Sequence, residues 1–194
     1  MKRVRLLLII GFLAISIAPL HAQTNSELGW ATYFGSLVAG VATDKSGNVY
    51  ITGGIGIGPG IATVGAYQTF FGGGDDAFLA KFNSKGNLIW ATYFGGDSDD
   101  YGYNVITDDS GNIYIAGTTF SDTGIATTGA YQVSKTGRQD AFIAKFSPSG
   151  SRLWATYYGG NKGITFDDTR VSLAVGDSGN IYLSGSTAAI WLSL

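Results

Sequence analysis

The side chains of this chain best suited to hold a metal or to do acid/base chemistry are its 14 carboxylates, and most of them fall in short aspartate clusters. Gly96-Asp97-Ser98-Asp99-Asp100 is the densest, and Asp167-Asp168 follows in the next comparable loop. Oxygen-only ligands carried on loops suit a hard cation, so Asp97, Asp99, Asp100, Asp167 and Asp168 make a candidate weak calcium site, and calcium is the one cofactor the composition points to. The competing reading is an acidic loop that faces water and binds nothing. Paired carboxylates about 5 to 9.5 Å apart could instead cleave a glycan by acid/base chemistry. Other chemistries lack their atoms: cysteine is absent, and His21, the single histidine, lies in a segment expected to be removed. The remaining chain has no thiol nucleophile, no imidazole base, no usual zinc ligand and no disulfide. No catalytic set is assigned.

Several recurrent features read as architecture. Asp44-Lys45-Ser46-Gly47-Asn48, Asp108-Asp109-Ser110-Gly111-Asn112 and Gly176-Asp177-Ser178-Gly179-Asn180 lack the Asp-x-Asp-x-Asp-Gly spacing and distal Glu of a calcium loop. Their glycine stands where a hairpin needs a positive φ. Asp76 and Asp140 open the same strand in successive units, as caps for backbone N–H groups would. Lys81 and Lys145, mid-strand, are expected to lie along their neighbours or pair with a nearby Asp. Gly54-Ile55-Gly56-Ile57-Gly58-Pro59-Gly60 lacks the spacing and following helix of a phosphate loop.

A repeat must position these residues. Trp90-Ala91-Thr92-Tyr93-Phe94-Gly95-Gly96 appears twice more, as Trp30-Ala31-Thr32-Tyr33-Phe34-Gly35 and Trp154-Ala155-Thr156-Tyr157-Tyr158-Gly159-Gly160. Gly65-Ala66-Tyr67-Gln68, Asp76-Ala77-Phe78 and Trp90 each recur 64 residues later. Each unit holds four short apolar runs, rich in β-branched and aromatic residues and bounded by Gly, Asn, Asp and Ser, with no helical period. In Ala77 to Phe82 and Leu88 to Phe94 both alternating faces are apolar, so each sheet is expected to be covered on both sides. The predicted fold is all-β: four-stranded antiparallel sheets of about 64 residues stacked radially as the blades of a β-propeller.

The string Asp-x-Ser-Gly-Asn-(Ile/Val)-Tyr-(Ile/Leu)-x-Gly, then Gly-Ala-Tyr-Gln, Asp-Ala-Phe-x-Ala-Lys-Phe and Trp-Ala-Thr-Tyr-x-Gly-Gly, resembles the SBBP-type β-propeller repeat of secreted bacterial proteins over nearly all of residues 28–187. The resemblance implies a seven-bladed ring in intact relatives, export or display at the cell surface, and no common enzymatic activity. Matching strands in order makes residues 28–35 a lone closure strand, 37–95 a first blade, 104–160 a second, 171–187 half of a third and 188–194 an atypical C-terminal end. Rings have 4 to 8 blades. The chain is therefore expected to be a truncated product, or a piece that closes only with other propeller repeats or by self-association.

Residues 1–22 have the layout of a secretory signal peptide: Lys2, Arg3 and Arg5, an apolar run from Leu6 to Ala18, then Ala22 at the expected cut. The run is short for a membrane span, which takes about 20 residues; an uncleaved short anchor is the alternative. Cleavage removes three of 12 basic residues and leaves nine against 14 acidic ones, a formal charge of −5. Nucleic acid is thus an unexpected partner, and the destination is extracellular, cell-surface or periplasmic.

Length varies in two connections of each unit. More than 20 residues separate the second and third strands, and the stretch between the Trp strand and the next hairpin grows from 9 to 13 to 18 residues. In an up-and-down blade both connections emerge on one face, where repeat proteins place binding loops. Three functions fit: a secreted, non-catalytic module that binds protein or glycan through this face; a carboxylate-using glycan hydrolase or lyase; or a structural remnant of a longer propeller.

Overall fold

The computed structural model describes residues 29–32, 34, 37–56, 60–159, 171–176 and 179–185. The expected signal peptide at 1–22, Asp167-Asp168 and the end at 188–194 lie outside them. Among the described residues ten strands alternate with turns: β1 (Leu37–Thr43), β2 (Val49–Ile55), β3 (Asp76–Phe82), β4 (Leu88–Phe94), β5 (Asp100–Thr107), β6 (Ile113–Thr119), β7 (Asp140–Phe146), β8 (Arg152–Tyr158), β9 (Ser172–Val175) and β10 (Ile181–Ser184). They form antiparallel sheets in the orders β1-β2-β3-β4 and β5-β6-β7-β8, with β9 and β10 as a two-stranded piece. Two full blades and part of a third are the expected all-β propeller array. The two full registers correspond residue for residue: Val49 pairs with Phe82 as Ile113 pairs with Phe146.

One boundary differs from expectation. The second blade starts at Asp100 rather than Asn104, because a register shift between Gly102 and Asn104 lets β5 continue its pairing back to Asp100 opposite Thr119. Such a bulge adds a residue without ending the ladder. The tight hairpins form as read: Asp44 Oδ1 accepts the N–H groups of Ser46 and Asn48, Asp108 Oδ1 those of Ser110 and Asn112, and Gly47 and Gly111 take φ of 78° and 79°.

Every full sheet is covered on both faces. Phe34 sits 5.1 Å from Phe78 and edge-on to Phe82 at 5.8 Å; Phe94 repeats this against Phe142 and Phe146 at 5.0 and 5.9 Å. The final Phe of the first two Trp-Ala-Thr-Tyr stretches thus fills the next sheet's core, and full burial of one such ring is worth about 2–3 kcal/mol. The Trp of the same strand lies on a hairpin glycine of the next sheet: a Cβ on Gly86 would fall 2.7 Å from the Trp30 indole, and one on Gly150 3.1 Å from that of Trp90. Residues 30 and 34 therefore stand against the first blade as Trp90 and Phe94 stand against the second.

The long connections are partly woven into the sheets. Thr63 N donates to Ala91 O and Tyr93 N to Gln68 O; Thr127 N and Tyr157 N make the equivalent bonds to Ala155 O and Gln132 O. These contacts lie along the outer edges of β4 and β8, where unpaired N–H and C=O groups would otherwise invite another strand.

Candidate functional site

The loops at the predicted binding face meet so closely that their backbones dictate glycine. A Cβ on Gly72 would fall 2.2 Å from the Gly96 carbonyl oxygen, and one on Gly73 the same distance from that of Ser98. Within this joint each aspartate of the cluster serves a different backbone. Asp97 Oδ1 accepts from Asp122 N at 2.8 Å and Thr123 N at 3.3 Å, and Asp99 Oδ1 accepts from Asp75 N at 3.0 Å. Asp100 Oδ2 accepts from Gly96 N at 2.7 Å and from the Ser121 hydroxyl at 2.8 Å, while Asp100 N donates to Asp75 O at 2.6 Å. Asp97, Asp99 and Asp100 thus lace the loop after β4 to the loops after β2 and β6. Among the described residues, no three carboxylate or imidazole groups gather as a metal site would require.

Their electrostatics diverge with burial. The little burial of exposed Asp97 opposes ionisation, but the Thr123 and Asp122 donors outweigh it and hold the carboxyl below its ordinary range. Asp100 has no exposed surface. Burial pushes its carboxyl up to about 6, against the bonds from Thr119, Gly96 and Ser121, and the nearby Asp76 charge adds to the rise. Asp76 is also fully buried and raised, mainly by burial, with Gly72, Gly73 and Gln68 donors opposing. Oδ1 of each lacks a hydrogen-bond partner. Two acids of raised pKa, one feeling the other's charge, resemble a glycosidase pair in composition, but neither has surface for a sugar to approach.

A clamp of four repeated residues holds the long loops. Gln68 Nε2 donates to Asp76 Oδ2 at 2.6 Å and to Phe70 O at 3.0 Å, and its Oε1 accepts from Gly95 N at 3.1 Å. Its backbone exchanges bonds with the Thr92 hydroxyl. Gln132 does the same with Asp140, Ser134, Gly159 and Thr156. Asp76 and Asp140 are therefore the caps that their position at the head of a strand suggests, and their first donor is a glutamine side chain. The repeated Gly-Ala-Tyr-Gln string was the sequence signal of this clamp; its partners were not legible in it.

The opposite face carries the hairpins. Lys45 and Asp109 pair across two turns at 2.8 Å, both largely exposed. Lys145 reaches Asp108 at 3.7 Å and covers the Tyr114 ring, and Lys81 covers Tyr50. The hollow between these turns measures about 170 Å³, and another beneath Thr63–Ala66 and Trp90–Thr92 about 50 Å³. Small-molecule sites occupy about 300 Å³ or more.

What remains free for recognition is the part of the long loop that differs between blades. Where the second blade has Ser134 and Lys135, the first has Phe70 and Phe71. Phe70 is 80% exposed, although the Gln68 clamp holds its own carbonyl. Phe71 leans edge-on against Tyr93 at 6.3 Å. Lys135, the counterpart of Phe71, instead turns inward to the Phe120 carbonyl and pairs with Asp122 at 3.1 Å. Several repeated aromatics of the two full blades, among them Tyr50, Phe78, Phe94, Phe142 and Tyr157, are core; Phe70 is neither periodic nor buried, and that departure from the repeat marks it in the sequence.

Residues 89–122, from β4 through the loop after β6, match the SBBP family, a beta-propeller repeat. No curated protein matches the chain.

Proposed function

We propose that this β-propeller chain is an exported, non-catalytic module that binds a protein or glycan through the face carrying the β2–β3, β4–β5 and β6–β7 loops. The observation that carries this reading is Phe70: an aromatic ring held out in water on a backbone fixed by hydrogen bonds. Burying such a ring in a partner gains apolar area at little conformational cost, and an aromatic face stacks on the apolar face of a sugar. The aspartates around it are committed to loop backbones, so they set an acidic surround and leave contact to the rings. Export rests on residues 1–22, and places the module outside the cell, on its surface or in the periplasm.

Binding of the purified chain to arrayed bacterial and host glycans, and to surface-protein extracts, tests the reading. Phe70→Ala with Phe71→Ala is expected to lower affinity at least ~10-fold, the share of an aromatic anchor, without altering the far-UV spectrum. Turnover of a bound polysaccharide would replace the module with a hydrolase or lyase. A chain that does not fold on its own would leave the remnant reading.

A further inference from the structure

The two full blades build the same loop with different charge. In the second, Arg138 lies over the Phe120 ring at 5.7 Å, and the nearly buried Lys135 pairs with Asp122 at 3.1 Å. Aromatic face, carboxylate and cation all come from one blade there. In the first blade Phe71 and Gly74 hold the places of Lys135 and Arg138, 64 positions earlier. Both cations of the loop are gone, and aromatic rings and carboxylates remain.

Phe70 and Phe71 are both exposed, and among the described residues no Lys or Arg lies over either ring. Carboxylates border them. Phe71 leads into Gly72, whose backbone rests on that of Gly96 beside the exposed Asp97; Gly73 rests on Ser98, and Gly74 on the Asp99 carboxylate. Among the described residues the ion pairs are Lys45–Asp109, Lys135–Asp122 and Lys145–Asp108, so Asp75, Asp97 and Asp99 pair with no cation. The N–H groups that these aspartates accept fix their positions without cancelling their charge. Elsewhere the chain covers its rings with its own cations: Arg152 lies over Tyr67 at 4.6 Å, Lys81 over Tyr50 at 5.3 Å and Lys145 over Tyr114 at 4.8 Å.

We propose that Phe70 and Phe71 dock an arginine- or lysine-bearing segment of a partner protein, its cation lying over the exposed Phe70 face within the field of Asp75, Asp97 and Asp99. The partner supplies what Arg138 and Lys135 supply within the second blade. Arginine is the better fit, because a planar guanidinium stacks on a ring while its N–H groups still point at carboxylates. Like charge repels an acidic polysaccharide, and an uncharged sugar gets no steering from the net field of three carboxylates. The inference rests on the loop face being the binding face and adds the chemistry of the partner.

The probe is an array of peptides of equal length, identical except for arginine, lysine, citrulline or glutamate at set positions, read with the full chain beside neutral and acidic glycans. Arginine peptides are expected to bind at least ~10-fold more tightly than their citrulline twins, which keep the shape and lose the charge, and to weaken as salt rises. Phe70→Ala should remove at least ~10-fold of that affinity. Phe71→Lys, which brings in the cation of the second blade, should weaken it by repulsion, and Asp97→Asn about 2- to 5-fold, the share of an exposed ion pair. Arginine binding that Phe70→Ala leaves intact is general attraction to an acidic protein and overturns the inference. Equal affinity for arginine and citrulline peptides, or Phe70-dependent binding to glycans alone, overturns it while leaving the face a binding site. No Phe70-dependent binding to any probe overturns both.

Discussion

Asp100→Asn should flatten the acid side of the stability profile. Burial pushes the Asp100 carboxyl from an ordinary 3.8 up to about 6, so the fold prefers it protonated. At about 1.4 kcal/mol per pKa unit the full difference is about 3 kcal/mol. The folded chain binds the extra proton between those two values. The contribution is therefore complete below 3.8 and is lost as pH rises through 6. Between pH 7.5 and pH 5 the linkage relation returns about 1.4 kcal/mol, or a midpoint rise of about 3–6 °C for a chain of this size. Asp44 and Asp108 are both held low: burial opposes this, but the Asn48 or Asn112 amide and the local N–H groups outweigh it. Both are ionised in both states across this window and stay silent. Asp76, raised mainly by burial, is present in wild type and variant alike, so its contribution largely cancels in the difference. The asparagine keeps an oxygen for Gly96 N and the Ser121 hydroxyl. The assay is thermal unfolding of both proteins from pH 5 to 7.5 at constant ionic strength. Parallel profiles, or a wild type that loses more stability than the variant toward pH 5, would refute the assignment.

Three further outcomes follow from packing and hydrogen bonding. Phe94→Ala empties the fully buried seat between Phe142 and Phe146 and should cost about 3–5 kcal/mol by denaturant unfolding; Phe70→Ala, at a ring in water, should cost less than about 0.5 kcal/mol. Gln132→Ala removes the partner of Gly159 N, while Asp140 keeps its Thr136 and Gly137 donors and Ser134 O turns to water, a loss of about 1–3 kcal/mol for the one orphaned group, seen also as faster exchange in residues 125–132. Millimolar calcium should leave the thermal midpoint unchanged, since Asp97, Asp99 and Asp100 already serve separate donors; a midpoint rise in wild type that Asp97→Asn abolishes would restore them as ligands.

The repeat offset, the two-sided apolar strands and the Asp-Gly hairpins carry the fold openly. Periodicity records which side chains face a neighbour, and glycine records where φ must be positive; both are local properties of the chain. Asp97 to Asp100 are different, because an aspartate cluster has the same composition whether it faces water, a cation or a neighbouring backbone. Only blade stacking brings Gly72–Asp75 and Phe120–Thr123 around it, burying Asp100 and turning the cluster into a joint. Gln68 and Phe70 divide the same way. Their strings are visible in the sequence, but the bond to Asp76 for one and exposure for the other depend on how the long loop folds back along β4. What the sequence by itself determined is the blade and its repeat. Which carboxylates lie inside and which ring stays in water were decided by contacts between segments such as those 21 to 25 residues apart around Asp100, a separation at which side-chain type no longer states its environment.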